Sequence, residues 1–170
     1  ELDIDSTAST AVDCFGNNTG TASIFVSGGT GNYTYLWNDT LRQIERTAIL
    51  LEAGTYKVTV RDDNNCIAVA DIQVQQPDSI AINTAITDAL CVGDANGQVA
   101  ATVSGGVPGF SYTWSNGQTL STATNLAAGN YTLSVTDANN CTATANVVVN
   151  QPQEAVSMIL EQTFRGCNGT

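Results

Sequence analysis

The chain has 170 residues, 16 acidic side chains against 5 basic ones, a net charge of −11 and no histidine. Such a charge excess repels nucleic acid and anionic membrane surfaces, and the missing histidine removes the commonest general base and metal ligand. Charged residues are only 12% of the chain, so its polar surface must come from Thr, Ser, Asn and Gln, a habit of extracellular β-proteins.

A hydrophobic content of 42% still supplies a core. No run approaches the ~20 apolar residues that span a bilayer. No basic segment followed by an apolar one opens the chain, so a signal peptide is expected upstream or removed.

The elements recur. In chain order, the first unit runs from Cys14 through Ser27-Gly28-Gly29 and Tyr33-Thr34-Tyr35-Leu36-Trp37 to Leu51-Glu52-Ala53-Gly54-Thr55-Tyr56. It ends on Asp62-Asp63-Asn64-Asn65-Cys66 and Gln76-Pro77. The second repeats this order with Cys91, Ser104-Gly105-Gly106, Phe110-Ser111-Tyr112-Thr113-Trp114, Leu126-Ala127-Ala128-Gly129-Asn130-Tyr131, Asp137-Ala138-Asn139-Asn140-Cys141 and Gln151-Pro152. The offset drops by two residues between Trp and Leu, in a connection, where loops tolerate length change. Residues 153–170, with Cys167-Asn168-Gly169, restart the pattern. The expected division is therefore 1–77, 78–152 and the start of a third repeat, its strand A alone, at 153–170.

Within a unit the alternation has period two. Tyr56, Val58 and Val60 oppose Lys57, Thr59 and Arg61; Tyr131, Leu133 and Val135 oppose Thr132, Ser134 and Thr136. This predicts half-buried strands separated by Gly/Asn turns at β-sandwich spacing, and no long helix. In the second unit the strands are expected near Ile80–Thr87 (A), Gly97–Ser104 (B) and Phe110–Ser115 (C). An irregular middle and E follow, then Asn130–Thr136 (F) and Cys141–Val149 (G). Trp37 and Trp114 take the place where immunoglobulin-like sandwiches bury a Trp on strand C, and Tyr56 and Tyr131 that of a tyrosine corner. Pro77 and Pro152 leave almost no linker, which holds neighbouring repeats close.

Gly-Gly, aromatic-x-Tyr-x-Trp, then Leu-x-x-Gly-x-Tyr-x-x-x-Val-x-Asp-x-x-x-Cys resembles the SprB repeat of large adhesins from gliding bacteria of the Bacteroidota, over residues 14–152 and into a third repeat. The resemblance implies cell-surface display, export by the type IX system, a role in adhesion or gliding motility, and no enzyme activity. Three triplets, Asp5-Ser6-Thr7, Asp39-Thr40-Leu41 and Asp78-Ser79-Ile80, resemble the O-glycosylation signal of this bacterial group. They nominate Ser6, Thr40 and Ser79 as acceptors, against chance in a Thr-rich chain.

Other candidate sites have competing structural readings. Asp62, Asp63, Asn64 and Asn65, like Asp137, Asn139 and Asn140, offer oxygens to calcium; the spacing is not that of an EF-hand, and a polar F–G turn is the preferred reading, so no cofactor or metal is expected. Tyr33, Tyr35 and Trp37 share a face and read as core rather than as a sugar platform. The Gly pairs read as a bend leaving strand B, since neither a helix nor a Lys follows. No base is placed to activate a Ser or Cys, and no acid pair stands out. The expected function is a shaft segment of a secreted bacterial surface adhesin. The alternatives are a filament whose subunits join by strand addition through Glu154–Phe164, or a module binding surface glycans or proteins. Expected partners are neighbouring repeats or other copies of the chain.

Five cysteines in an exported chain imply bridges. In an immunoglobulin-like sandwich Cys14, in the A–B connection, lies at the pole where the chain leaves. Cys66, opening strand G, lies at the pole where it enters, roughly 25 Å away across a strand of about 8 residues. A disulfide needs Cα atoms within about 7 Å. Exit and entry poles of successive repeats abut, so Cys14 is expected to pair with Cys141. Cys91 would then pair with a following repeat and Cys66 with a preceding one. Pairing within repeats, Cys14–Cys66 and Cys91–Cys141, holds instead if strand A is shorter or differently placed.

Overall fold

The computed structural model describes residues 1–153, and every regular element among them is a strand. The expected third repeat, Cys167 and the Glu154–Phe164 segment lie outside the described residues. Six strands form a first sandwich: β1 (Leu2–Thr10), β2 (Gly20–Gly28), β3 (Thr34–Trp37), β4 (Thr47–Leu51), β5 (Gly54–Arg61) and β6 (Ile67–Val74). Six more form a second: β7 (Ala81–Thr87), β8 (Gly97–Ser104), β9 (Ser111–Trp114), β10 (Thr122–Leu126), β11 (Gly129–Thr136) and β12 (Thr142–Val149). In the first, one sheet has the order β1-β2-β4 and the other β3-β5-β6, with all pairs antiparallel; the second repeats this as β7-β8-β10 and β9-β11-β12. These are the A-B-E and C-F-G sheets of an immunoglobulin-like sandwich without strand D.

The alternation buries one face of each sheet. Ala22 and Ile24 of β2, Trp37 of β3 and Val58 and Val60 of β5 form the first core with no exposed surface. Val99, Trp114, Leu133 and Val135 fill the second. Each Trp still donates its indole N–H, Trp37 to the Glu45 carbonyl and Trp114 to the Leu120 carbonyl, both at 2.8 Å. Tyr33 and Tyr35 pack on the first core at intermediate exposure. Tyr56 and Tyr131 donate their hydroxyls to the carbonyls of Glu52 and Ala127, four residues upstream (3.1 and 3.0 Å). This is the tyrosine-corner bond that fixes the E–F connection.

The Gly pairs take left-handed φ (71° and 65° at Gly28 and Gly29; 72° and 62° at Gly105 and Gly106). A Cβ at Gly28 or Gly105 would collide with the carbonyl oxygen of Glu1 or Ser79. Only glycine lets strand A start this close to the end of strand B.

Strand G of the second unit begins at Thr142 rather than Cys141, because the Cys141 N–H bonds the Asp137 side chain (2.9 Å) instead of the ladder. The irregular C–E middle has its own order. The Gln118 side chain accepts from the Thr124 N–H (3.0 Å) and donates to its carbonyl (2.9 Å), pairing with strand E as a neighbouring backbone would. Gln43 does the same with Ile49.

Truncating the indole should leave an unfilled core. Trp114→Ala is expected to cost about 3–5 kcal/mol in urea unfolding. A loss under about 1 kcal/mol would take Trp114 out of the core.

Candidate functional site: the joint between the sandwiches

At the entry pole of each sandwich the Asp of Asp-x-Asn-Asn-Cys turns inward. Asp137 is buried; its Oδ1 accepts from the amides of Asn139 and Cys141 (both 2.9 Å), and its Oδ2 from the amide of Val107 in the B–C connection (2.9 Å). Asp62 is bonded alike by Asn64 (2.9 Å), Cys66 (2.8 Å) and Thr30 (3.0 Å). One carboxylate thus ties the F–G turn to the B–C connection. Asn65 and Asn140 complete the turns at φ of 63° and 64°, a region Asn tolerates. Both oxygens of Asp62 and of Asp137 accept from backbone amides, and Asp63 Oδ2 accepts from the Asn32 amide (3.0 Å). Among the described residues no cluster of three His, Cys, Asp or Glu is placed to hold a metal.

These bonds set the carboxyls' acidity. The Val107 amide, with those of Cys141 and Asn139, holds Asp137 below the usual carboxylate range against the effect of burial. Burial pushes Asp62 up, and the amides of Cys66, Thr30 and Asn64 outweigh it, so it too is lowered.

The exit pole is built around the A–B loop. Asp13 Oδ1 accepts from the Cys14 amide (2.7 Å), the Asn17 side-chain amide (2.9 Å) and the Thr19 hydroxyl (2.8 Å). The loop is fastened to the departing chain by Val12 N–H to the Gln75 carbonyl (2.9 Å) and by Gly16 N–H to Gln76 Oε1 (3.1 Å). Gln-Pro, which reads in the sequence only as a strand end, therefore supplies the clamp that holds the Cys14 loop beside the linker.

The two poles meet. Cys14 and Cys141 are joined by a disulfide across the sandwiches, with Cα atoms 5.7 Å apart and a sequence separation of 127. Asn139 Nδ2 donates to the Asp13 carbonyl beside it (2.9 Å). A cleft of about 310 Å³ remains between the linker and the bridge, where Phe15 and Asn17 face Asp137 and Ala143. Cys66 and Cys91 are exposed and unbridged among the described residues, so neither Cys14–Cys66 nor Cys91–Cys141 forms.

The three candidate acceptor hydroxyls are all exposed: Ser6 on β1, an edge strand, Thr40 at the turn after β3, and Ser79 on the linker. Among them only Thr40 follows a buried aspartate. Asp39 accepts from the amides of Leu41 (3.2 Å) and Gln43 (2.9 Å) and from the Gln43 side chain (3.0 Å), which braces the turn.

Two outcomes follow. Non-reducing peptide mapping should give a Cys14–Cys141 cross-linked peptide; a Cys14–Cys66 peptide would refute this joint. The lowered Asp62 and Asp137 stabilise the fold fully above their unfolded value near ~3.9, and this is lost as pH falls through their lower folded values. The thermal midpoint should therefore drop in acid below about pH 4. Asp62→Asn/Asp137→Asn should start lower at neutral pH and fall less steeply, since Asp13 and Asp39 remain. An unchanged acid slope would remove these two carboxyls as its cause.

Comparison with known proteins finds one family model. The family model described as SprB repeat matches residues 6–41 and 83–119, once in each sandwich. No curated protein matches. Among solved structures, a C-terminal 282-residue fragment of intimin, in complex with the intimin-binding domain of the translocated intimin receptor, is 20% identical with a TM-score of 0.46. The match covers 88% of this chain and 63% of that fragment. The first two Ig domains of DIP-gamma are 8% identical over 91% of this chain and 99% of theirs, with a TM-score of 0.45. The mouse nectin-like molecule 4 ectodomain is 13% identical over 92% and 66%, with a TM-score of 0.38. The SprB repeat model thus matches at two places, each inside an A-B-E/C-F-G sandwich, which is consistent with a protein of the SprB-repeat family.

Proposed function

We propose that the two sandwiches are a shaft segment of a secreted bacterial cell-surface adhesin, spacing a distant binding end from the cell. The observation that carries this reading is the Cys14–Cys141 bridge. A linker of a few residues around Pro77 already limits how far the sandwiches can swing. The bridge adds a second covalent tie on the same joint, and such ties contribute typically about 2–4 kcal/mol. A rigid, repeated joint suits a spacer. The division at 77/78 and 152/153 fits the same reading, each unit carrying one complete set of poles.

The proposed location rests on the likeness to SprB repeats, and the proposed glycosylation on the three Asp-Ser/Thr triplets. No helix among the described residues is long and apolar enough to cross a membrane. If Ser6, Thr40 and Ser79 carry glycans, the native mass should exceed the polypeptide mass and fall on their substitution; an unmodified native mass excludes this. A non-enzymatic role accords with buried carboxylates that, among the described residues, are spent on backbone and side-chain amides: Asp39, Asp62 and Asp137.

Small-angle scattering tests the shaft. The oxidised chain should show one well-defined maximum dimension, and Cys14→Ser/Cys141→Ser should broaden the distance distribution without loss of β-structure. Identical profiles would mean that the bridge does not set the joint.

One observation favours a second reading, a protein-binding role for the first repeat. Leu41, Ile44, Ile49 and Leu50 are all more than half exposed, and Leu50 holds a left-handed φ of 56°. Asn125 stands at the equivalent place in the second repeat at 55°. A leucine there costs roughly 1–2 kcal/mol that asparagine largely avoids. Leu50→Asn should therefore raise stability by about 1 kcal/mol. If it also lowers adhesion of whole cells, the patch binds; unchanged adhesion rejects this reading.

A further inference from the structure

The cleft of about 310 Å³ at the joint has no part in the shaft reading. It lies between two sandwiches, where ligand sites concentrate, and its volume is at the small end of their usual range of about 300–1,000 Å³. Its walls are the A–B loop of the first sandwich, the linker and the entry pole of the second.

Phe15 lines this cleft and is 56% exposed. The A–B loop does not need the ring. In the second sandwich Val92 stands at the same place, and that loop is fastened alike, by Ala89 N–H to the Asn150 carbonyl (2.9 Å) and Gly93 N–H to Gln151 Oε1 (2.8 Å). The aromatic ring therefore answers to the joint and not to the repeat.

The polar groups of the cleft are mostly acceptors. Asn17 gives its Nδ2 to Asp13 Oδ1 (2.9 Å), which leaves its own Oδ1 for another donor. Asp78 and Ser79 are exposed, and among the described residues no hydrogen bond or ion pair engages the Asp78 carboxylate or the Ser79 hydroxyl. Asp137 also lines the cleft, but both its oxygens are taken by backbone amides. No Lys or Arg lines it.

We propose that this cleft binds one neutral pyranose ring. The ligand that fits has a C–H face for the Phe15 ring, whose face is electron-rich, and several O–H donors for Asp78, Asn17 and Ser79. A sugar ring offers both. An anionic sugar would meet the Asp78 carboxylate, with no cation in the cleft, on a chain of net charge −11. Because both sandwiches build the walls, the Cys14–Cys141 bridge holds the site in its binding shape. A free sugar and the end unit of a glycan present the same chemistry.

Saturation-transfer NMR on the full oxidised chain tests this. Intact mass must show Ser79 unmodified, since a glycan there would fill the same cleft. The probes are methyl glucoside, methyl galactoside, methyl mannoside and N-acetylglucosamine, with glucuronate and glucosamine as charged controls. At least one neutral sugar should bind, its ring C–H protons receiving most saturation, and glucuronate should not. Phe15→Val and Asp78→Ala should each weaken binding about tenfold, the loss of one good contact, with the thermal midpoint unchanged. Cys14→Ser/Cys141→Ser should weaken it as well. Maltose against methyl glucoside separates the two sources: a disaccharide that binds as well fits a glycan end, one that is shut out fits a free sugar, and either keeps the site. No transfer to any neutral sugar, transfer that survives both Phe15→Val and Asp78→Ala, or a preference for glucosamine that salt abolishes overturns the proposal. If no sugar binds while peptide mapping shows Cys14–Cys141 intact, the site fails and the shaft reading stands; a map without that cross-link removes the shaft reading.

Discussion

The three bonds that the Asp137 carboxylate accepts from backbone amides fix everything at the joint. They hold the F–G turn against the B–C connection, and this decides where Cys141 points and which surface faces the preceding repeat. A buried carboxylate is costly unless its oxygens are satisfied. Here the donors are amides that would otherwise be left without partners at a turn, so one side chain meets both needs. Asp62 does the same at the other entry pole. The bridge is a consequence of this scaffold rather than its cause, since the unbridged Cys66 sits on the same support.

The two repeats serve as each other's controls. The elements kept in both, the Trp on strand C, the tyrosine corner, the Gln paired with strand E and the Asp at the F–G turn, each satisfy a buried polar group or fill the core. The differences lie at exits and loops. Asp13, which organises the first A–B loop, has Leu90 as its counterpart, and there Asn96 Oδ1 accepts from the Leu90 amide instead (2.9 Å). Tyr33 donates its hydroxyl to the Gly28 carbonyl (2.6 Å), a bond that Phe110 cannot make. Arg42, Arg46, Lys57 and Arg61 all belong to the first repeat, and the second has neither Lys nor Arg. The sandwiches share a frame but present different surfaces.

Much of the frame was legible because period-two alternation is a local signal that burial enforces: Val58, Val60, Leu133 and Val135 are where the pattern puts them. Strand B of the second unit was readable to the residue, since Gly97 and the Gly pair bracket it. Strand ends at the F–G turn were less so, because a side chain competes with the ladder for the Cys141 amide. The C–E connection was not legible at all. Gln43 and Gln118 act there through side chains that imitate backbone, and nothing in an isolated Gln announces that. The clamp between Gln76 and Gly16 was hidden for the same reason. The direction in which Cys14 faces followed from strand polarity alone.

The bridge also decides which part of the polypeptide transmits a pull. Tension applied at the two ends enters along β1, reaches Cys14, crosses the sulfur atoms to Cys141 and leaves along β12. The span between the two cysteines, a sequence separation of 127, is bypassed. Stretched out at 3.3–3.6 Å per residue, that span would measure roughly 420–460 Å, and all of it is locked away from extension while the bridge stands. Both hydrophobic cores lie largely within it, so an oxidised segment resists lengthening even if a sandwich opens. The same segment, once reduced, becomes a store of slack.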